Sequence, residues 1–185
     1  SVVYNAVNPI FEHIGDKVLN AEKYLFAVSS IKENKNFGIA VNAFKIVQKQ
    51  IPDLKLYIMG DMNADSFRNM GHLIDECKKD VSDLIRYYSN AIAFIFPSLY
   101  EGFGIPVLEA QACGCPVVSS NSSSLPEILG NSALMCNPNS SEEFAGAIIK
   151  LVNHQSIKEE LVGKGYENVK RFSWEKSAED LLKYL

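Results

Sequence analysis

From Ala91 to Phe96 the chain is apolar without a break, and Pro97 ends the run. A strand with one wet face alternates apolar and polar residues, so a continuous run suits a strand covered on both faces, as parallel sheets require. Gly102 and Gly104 follow and let the backbone turn sharply and approach a ligand closely. Pro106 then falls where the first turn of a helix needs no N–H. Gly114 marks the end of that helix, and Pro116-Val117-Val118-Ser119-Ser120 opens the next strand. Ile92 to Ser120 is therefore predicted as strand, glycine turn, short helix and strand. A helix start facing such a turn offers free N–H groups and the positive end of the helix dipole, which attract an anion, most naturally phosphate. Gly102, Phe103, Gly104, Ile105, Pro106 and Val107 are assigned to that binding role, with the N–H groups of Gly104 to Val107 expected on the phosphates.

Two carboxylates flank the turn. Glu101 precedes it, and Glu109 lies about one helical turn inside, so both are expected to face one pocket. Acids beside a phosphate nest suit a ligand that is part anion and part polyol, because carboxylates accept hydrogen bonds from sugar hydroxyls. A nucleotide sugar has that chemistry. The stretch from Ser98 to Ala110, Ser-Leu-Tyr-Glu-Gly-Phe-Gly-Ile-Pro-Val-Leu-Glu-Ala, followed by Ala112-Cys113-Gly114-Cys115-Pro116-Val117-Val118, resembles the Glu-x7-Glu signature of retaining GT-B glycosyltransferases of the family 4 group. The resemblance implies the C-terminal, donor-binding half of such an enzyme. It also implies retaining transfer of a hexose from a UDP- or GDP-sugar to a sugar or lipid-linked acceptor, with Glu101 catalytic and Glu109 on the ribose.

Length and composition fit one domain. The chain has 185 residues, 47% of them hydrophobic, and a net charge of −4, which gives no reason to expect nucleic acid. Its apolar runs fall short of the roughly 20 residues of a membrane span, and no signal-peptide pattern opens it. Four cysteines, Cys77, Cys113, Cys115 and Cys136, lack metal-ligand spacing beyond the single Cys113-x-Cys115 pair, and reduced buried thiols favour the cytosol. Residues 1–185 are expected to form a single α/β domain, a doubly wound parallel sheet. Asn5-Ala6-Val7-Asn8 resembles the linker leaving an N-terminal acceptor domain, so 1–20 is assigned to linker and first helix and 173–185 to a terminal helix crossing toward that missing domain. A start at Ser1 without Met is read as a fragment. The full enzyme is expected in the cytoplasm, with peripheral association at the inner face of a membrane.

Before the central stretch, Tyr24 to Ser30 is predicted as a strand, and Asn36 as the cap of a helix with apolar face Phe37, Ala40, Val41, Phe44, Val47 and Ile51. Leu54 to Met59 is the second strand, ended by Gly60, which is assigned to ligand binding at a strand's carboxyl end beside Asp61. Asp65 to Lys79 is open between a helix and a strand over Phe67 to Leu73, the latter favoured because Val81 to Ala91 resembles the helix that follows such a strand. After it, Asn121 to Leu125 is a polar loop and Pro126 to Leu129 a helical turn. Ser140-x-x-Glu143 and Ser156-x-x-Glu159 are capping boxes that place helix starts near Glu142 and Ile157, the first helix packing through Phe144, Ile148, Leu151 and Val152.

A diphosphate also needs cations to neutralise charge on the leaving group. The resembling family supplies Arg and Lys after the first strand. Here the matching loop places Lys35 in the lysine position, which the resemblance assigns to catalysis beside Glu101, and Ser30 where arginine is common, with Lys32 as a substitute cation and both Ser30 and Lys32 assigned to donor binding. No divalent metal is expected, because no paired-Asp motif occurs, and no cofactor beyond the donor itself. His13, His72 and His154 fit no catalytic or metal pattern. A nicotinamide dehydrogenase is set aside, since Gly102-x-Gly104-x-x-Val107 lacks the third glycine and no acid ends the strand at Ser120. Two other readings stay open: a nucleotide-sugar binding module inactive alone, and an epimerase or phosphorylase of the same architecture.

Overall fold

The computed structural model describes residues 2–12, 22–28, 32–60, 73–74 and 80–183. Six parallel strands form one sheet: β1 (Tyr24–Val28), β2 (Lys55–Met59), β3 (Leu73–Ile74), β4 (Ala93–Phe96), β5 (Val117–Ser120) and β6 (Leu134–Cys136), in the order β3-β2-β1-β4-β5-β6. Seven described helices accompany it: α1 (Phe37–Gln48), α2 (Val81–Asn90), α3 (Ile105–Ala112), α4 (Leu125–Leu129), α5 (Ser141–Asn153), α6 (Gln155–Val169) and α7 (Trp174–Leu182).

The unbroken apolar runs arise because successive side chains enter two different cores. Leu25 and Ala27 of β1, Leu56 and Ile58 of β2, Ala93 and Ile95 of β4 and Val118 of β5 pack with α1 and α5. Tyr24, Phe26, Tyr57, Phe94, Phe96 and Val117 point to the opposite face, against α2, α3 and α4. The register pairs Phe26 with Phe94 and Phe94 with Val117. Tyr88 of α2 lies edge-on to both Phe26 and Phe94, at 5.1 Å from each ring. This is the doubly wound α/β architecture that the alternating elements predict.

Departures from the sequence reading are local. β6 is additional: Leu134–Cys136 pairs with β5 in a stretch for which no strand is predicted. At 61–82, Leu73–Ile74 pairs in parallel with Leu56 and Tyr57, so the continuous helix over Asp65 to Lys79 does not form. The rest of the Phe67 to Leu73 alternative, with Asp61, His72 and Cys77, lies outside the described residues, as does His13. Asn36 occupies the N-cap of α1 in a left-handed conformation but its side chain caps nothing. Its amide instead donates to Pro97 O at 3.1 Å and to Pro138 O at 2.7 Å, crossing to the neighbouring loops. Ser140 accepts the Glu143 N–H at 3.2 Å, whereas the Glu143 carboxylate turns to the Asn137 N–H rather than closing the box. Ser156 lies inside α6, which starts at Gln155 after His154, so the second capping box is not made.

Candidate active site

Strand order reverses between β1 and β4, and in open parallel sheets the crevice beyond that point receives ligands. The loops leaving these two strands carry the two residues assigned to catalysis. After β1, a single 3-10 turn over Glu33–Lys35 lifts Lys35, and after β4 the segment Pro97 to Gly104 carries Glu101. Lys35 Nζ lies 2.7 Å from Glu101 Oε1, both side chains being largely buried, and 5.4 Å above the Phe96 ring. The ion pair therefore bridges the crevice. Lys32 caps the 3-10 turn through its carbonyl, which accepts the Lys35 N–H, while Lys32 itself is exposed. Ser30 lies outside the described residues. Gly60 ends β2 with φ of 151°, a conformation that favours glycine.

The two glycines of the turn differ. Gly104 takes φ of 100°, and a Cβ there would come within 2.9 Å of Leu125 Cδ2. Gly102 has open space where a Cβ would stand and no positive φ, so the turn requires glycine only at 104. α3 begins at Ile105 with Pro106 in its first turn, and the Val107 N–H closes onto Gly104 O at 3.1 Å. That N–H is thus engaged within the helix start and Pro106 has none. Among the described residues the N–H groups of Gly104 and Ile105 have no hydrogen-bond partner.

Glu109 bonds a different partner from Glu101. A cavity of about 730 Å³ opens beside the turn, lined by Glu101, Gly102 to Pro106, Ser124, Glu127 and the N-terminal residues Val2 to Asn5, and Glu109 is not among its walls. It accepts a hydrogen bond from Tyr88 Oη at 3.2 Å, and burial holds its carboxyl above the usual range despite that bond. Glu109, about one helical turn into α3, is thereby tied to α2.

Sequence reasoning missed what holds the turn in place. Side chains from β5 and the adjacent loops donate to carbonyls at the end of β4 and along the turn: Ser119 to Phe96 O at 3.3 Å, Asn34 to Tyr100 O at 3.1 Å, Ser120 to Ser98 O, and Ser124 to Glu101 O and Phe103 O at 3.0 and 3.1 Å. Ser98 Oγ, buried below, has no partner among the described residues. The N-terminal segment docks on the same turn, with Tyr4 against Phe103 and Phe172 and its hydroxyl on Glu127. Only the run Ser122-Ser123-Ser124 hinted at this in the sequence.

Among the described residues no three His, Cys, Asp or Glu side chains are arranged to hold a metal, and no helix is long and apolar enough to cross a membrane.

Comparison with known proteins agrees with this geometry. Over 108 residues the chain is 41% identical to O-antigen chain mannosyltransferase B of Escherichia coli, covering 58% of this chain and 27% of that protein. It is 25% identical over 179 residues to the serotype-specific mannosyltransferase WbdA of Escherichia coli, covering 90% of this chain and 22% of that one. The chain thus spans about a quarter of the length of these curated relatives. Among solved structures, the C-terminal domain of the group 1 glycosyl transferase LpcC from Francisella tularensis superposes with a TM-score of 0.70 at 22% identity, over 92% of this chain and 95% of that one. TarM of S. aureus, in complex with UDP among other ligands, gives 0.84 at 20% identity, over 99% of this chain and 38% of that one. These likenesses show a shared fold. The model of the family described as glycosyl transferases group 1 matches residues 11–168, and the chain belongs to that family.

Proposed function

We propose that the chain is the donor-binding part of a retaining glycosyltransferase that moves a hexose from a nucleoside diphosphate sugar to a sugar or lipid-linked acceptor without a metal. The carrying observation is the Lys35–Glu101 pair across the crevice between β1 and β4, beside the free N–H groups of Gly104 and Ile105. A cation and oriented N–H groups suit a diphosphate leaving group, and the carboxylate beside them suits sugar hydroxyls. In this reading Lys35 is released from Glu101 toward the phosphates when donor binds, freeing both carboxylate oxygens for the sugar. Glu109 takes the ribose, and Lys32 and Ser30 are assigned to donor binding by their sequence positions. The mannosyltransferase relatives make a mannosyl donor the first to test.

Calorimetry with UDP, GDP, UDP-glucose and GDP-mannose, each in EDTA, tests the reading. Binding of one nucleotide with unchanged affinity in EDTA is expected; failure of all four to bind, or binding only after Mg²⁺ is restored, would overturn it. A second reading, a binding module inactive alone, is favoured by the fraction of its relatives that the chain spans. It predicts nucleotide binding with no sugar transfer by this chain, and transfer by the chain alone would remove it.

A further inference from the structure

Among the described residues only two besides glycine have a positive φ, Asn36 and Ser123. Ser123 has φ of 56° and lies two residues before α4, in the loop leaving β5. Non-glycine residues in this region are held there by their surroundings, and such positions cluster at functional sites. What holds Ser123 is its own hydroxyl, which donates to Glu101 O at 2.8 Å and accepts the Glu101 N–H at 3.3 Å. One side chain thus engages both backbone polar groups of a single residue, as a facing strand residue would in a hydrogen-bonded antiparallel pair. Ser124 adds bonds to Glu101 O and Phe103 O, and Asn34 fixes the preceding carbonyl at Tyr100 from the opposite side. With the Glu101 backbone oriented on both sides, the direction of its Cα–Cβ bond is set, and the carboxylate meets Lys35 at 2.7 Å.

We propose that Ser123 is a positioning residue for Glu101: its hydroxyl, presented from a left-handed backbone, clamps the N–H and C=O of Glu101 and so aims the carboxylate at the hexosyl group of the donor. The inference rests on the donor-binding reading given above. Ser123 touches neither substrate nor reacting atoms in this account, and its effect is exerted through Glu101.

Ser123→Gly is the informative variant, because glycine adopts the left-handed conformation freely and only the hydroxymethyl side chain with its two hydrogen bonds is lost. Exchange of the Glu101 amide is measured by NMR in the chain itself, and the thermal midpoint reports whether the fold survives. With one weak protecting bond removed, Glu101 exchange should accelerate about fivefold while amides of β4 and β5 are unchanged. The second arm compares GDP-mannose with GDP, and UDP-glucose with UDP. Ser123→Gly should leave bare nucleotide affinity within about twofold and abolish most of the affinity that the sugar adds, and it should change nothing further when Glu101 is already Gln, since residues acting through one another are not additive. Glu101 exchange at the wild-type rate in Ser123→Gly, or a sugar contribution that survives intact, would overturn the proposal. Wild-type chain that binds no nucleotide, or binds it with no preference for the sugar form, would instead sink the donor-binding reading, and the exchange arm would still decide the clamp.

Discussion

Lys35 Nζ and Glu101 Oε1 lie 2.7 Å apart although 66 residues separate them in the chain. The pair forms because β1 and β4 are neighbours in the sheet and each sends its loop to the same end. Removing one partner of a half-buried ion pair leaves the other uncompensated, so the two single variants should differ in what they reveal. Lys35→Met should weaken UDP or GDP binding by about tenfold or more, roughly 1.4 kcal/mol, through loss of the phosphate cation. Glu101→Gln should keep affinity for bare UDP or GDP within about tenfold yet lower kcat of the full-length enzyme by orders of magnitude, because a contact to the sugar that strengthens further as the anomeric carbon gains positive character lowers the barrier beyond what it contributes to the ground state. Calorimetry and initial-rate kinetics check both, and equal turnover by Glu101→Gln and wild type would make the glutamate structural.

Gly104 and Gly102 should respond oppositely to alanine. At Gly104 the Cβ meets Leu125 Cδ2 at 2.9 Å and φ is 100°, so Gly104→Ala should cost about 1–3 kcal/mol and shift α3 against α4. Gly102→Ala meets open space and should change stability by less than about 0.5 kcal/mol. Urea unfolding of the two variants measures the difference, and equal losses would contradict the geometry of the turn.

The thiols of Cys113, Cys115 and Cys136 should be inert while the chain is folded. All three are free and buried, and burial pushes Cys113 and Cys136 up to about 12 and Cys115 further up in the same direction. Thiolate is the reacting form, so a disulfide reagent at pH 8 should label these three only on unfolding. Rapid labelling of Cys113 in native protein, followed by peptide mapping, would show that α3 opens far more readily than its packing allows.

Legibility of the chain followed the physics of each element. Strands β1, β4 and β5 were readable because residues such as Phe94 and Ile95 must both be apolar when each enters a different core. β6 was not, since Leu134–Cys136 is three residues long and only half covered at two of them. Lys35 and Glu101 were legible as separate motif positions, but their contact is a property of strand order. Asn36 and Ser123 looked like a cap and a loop residue because local patterns describe what a side chain can do for its own element. Their actual bonds cross to Pro97, Pro138 and Glu101, which no spacing encodes. The bond that Glu109 makes escaped for the same reason, since α2 supplies Tyr88 from outside the motif.

Glu109 gives the fold a dependence on pH that its ligand should reverse. Burial disfavours the carboxylate more than the Tyr88 hydrogen bond favours it, so its pKa in the folded chain is raised above the unfolded value. A raised folded pKa contributes stability that is fully present below the unfolded pKa, near 4.5, and is lost as pH rises through the folded pKa. At neutral pH the buried Glu109 carboxyl therefore lowers the stability of the unliganded chain. Glu109→Gln, which can still accept from Tyr88, should raise the thermal midpoint at pH 7, and the advantage should shrink as the pH is lowered through the carboxylate range. If the carboxylate serves the ribose, the same variant should weaken UDP or GDP binding, so stability and affinity should move in opposite directions. Parallel melting curves at pH 4.5 and 7 with calorimetric titrations decide the matter: a midpoint unchanged at pH 7 would contradict the burial cost, and nucleotide bound as tightly by Glu109→Ala as by wild type would remove Glu109 from the donor site.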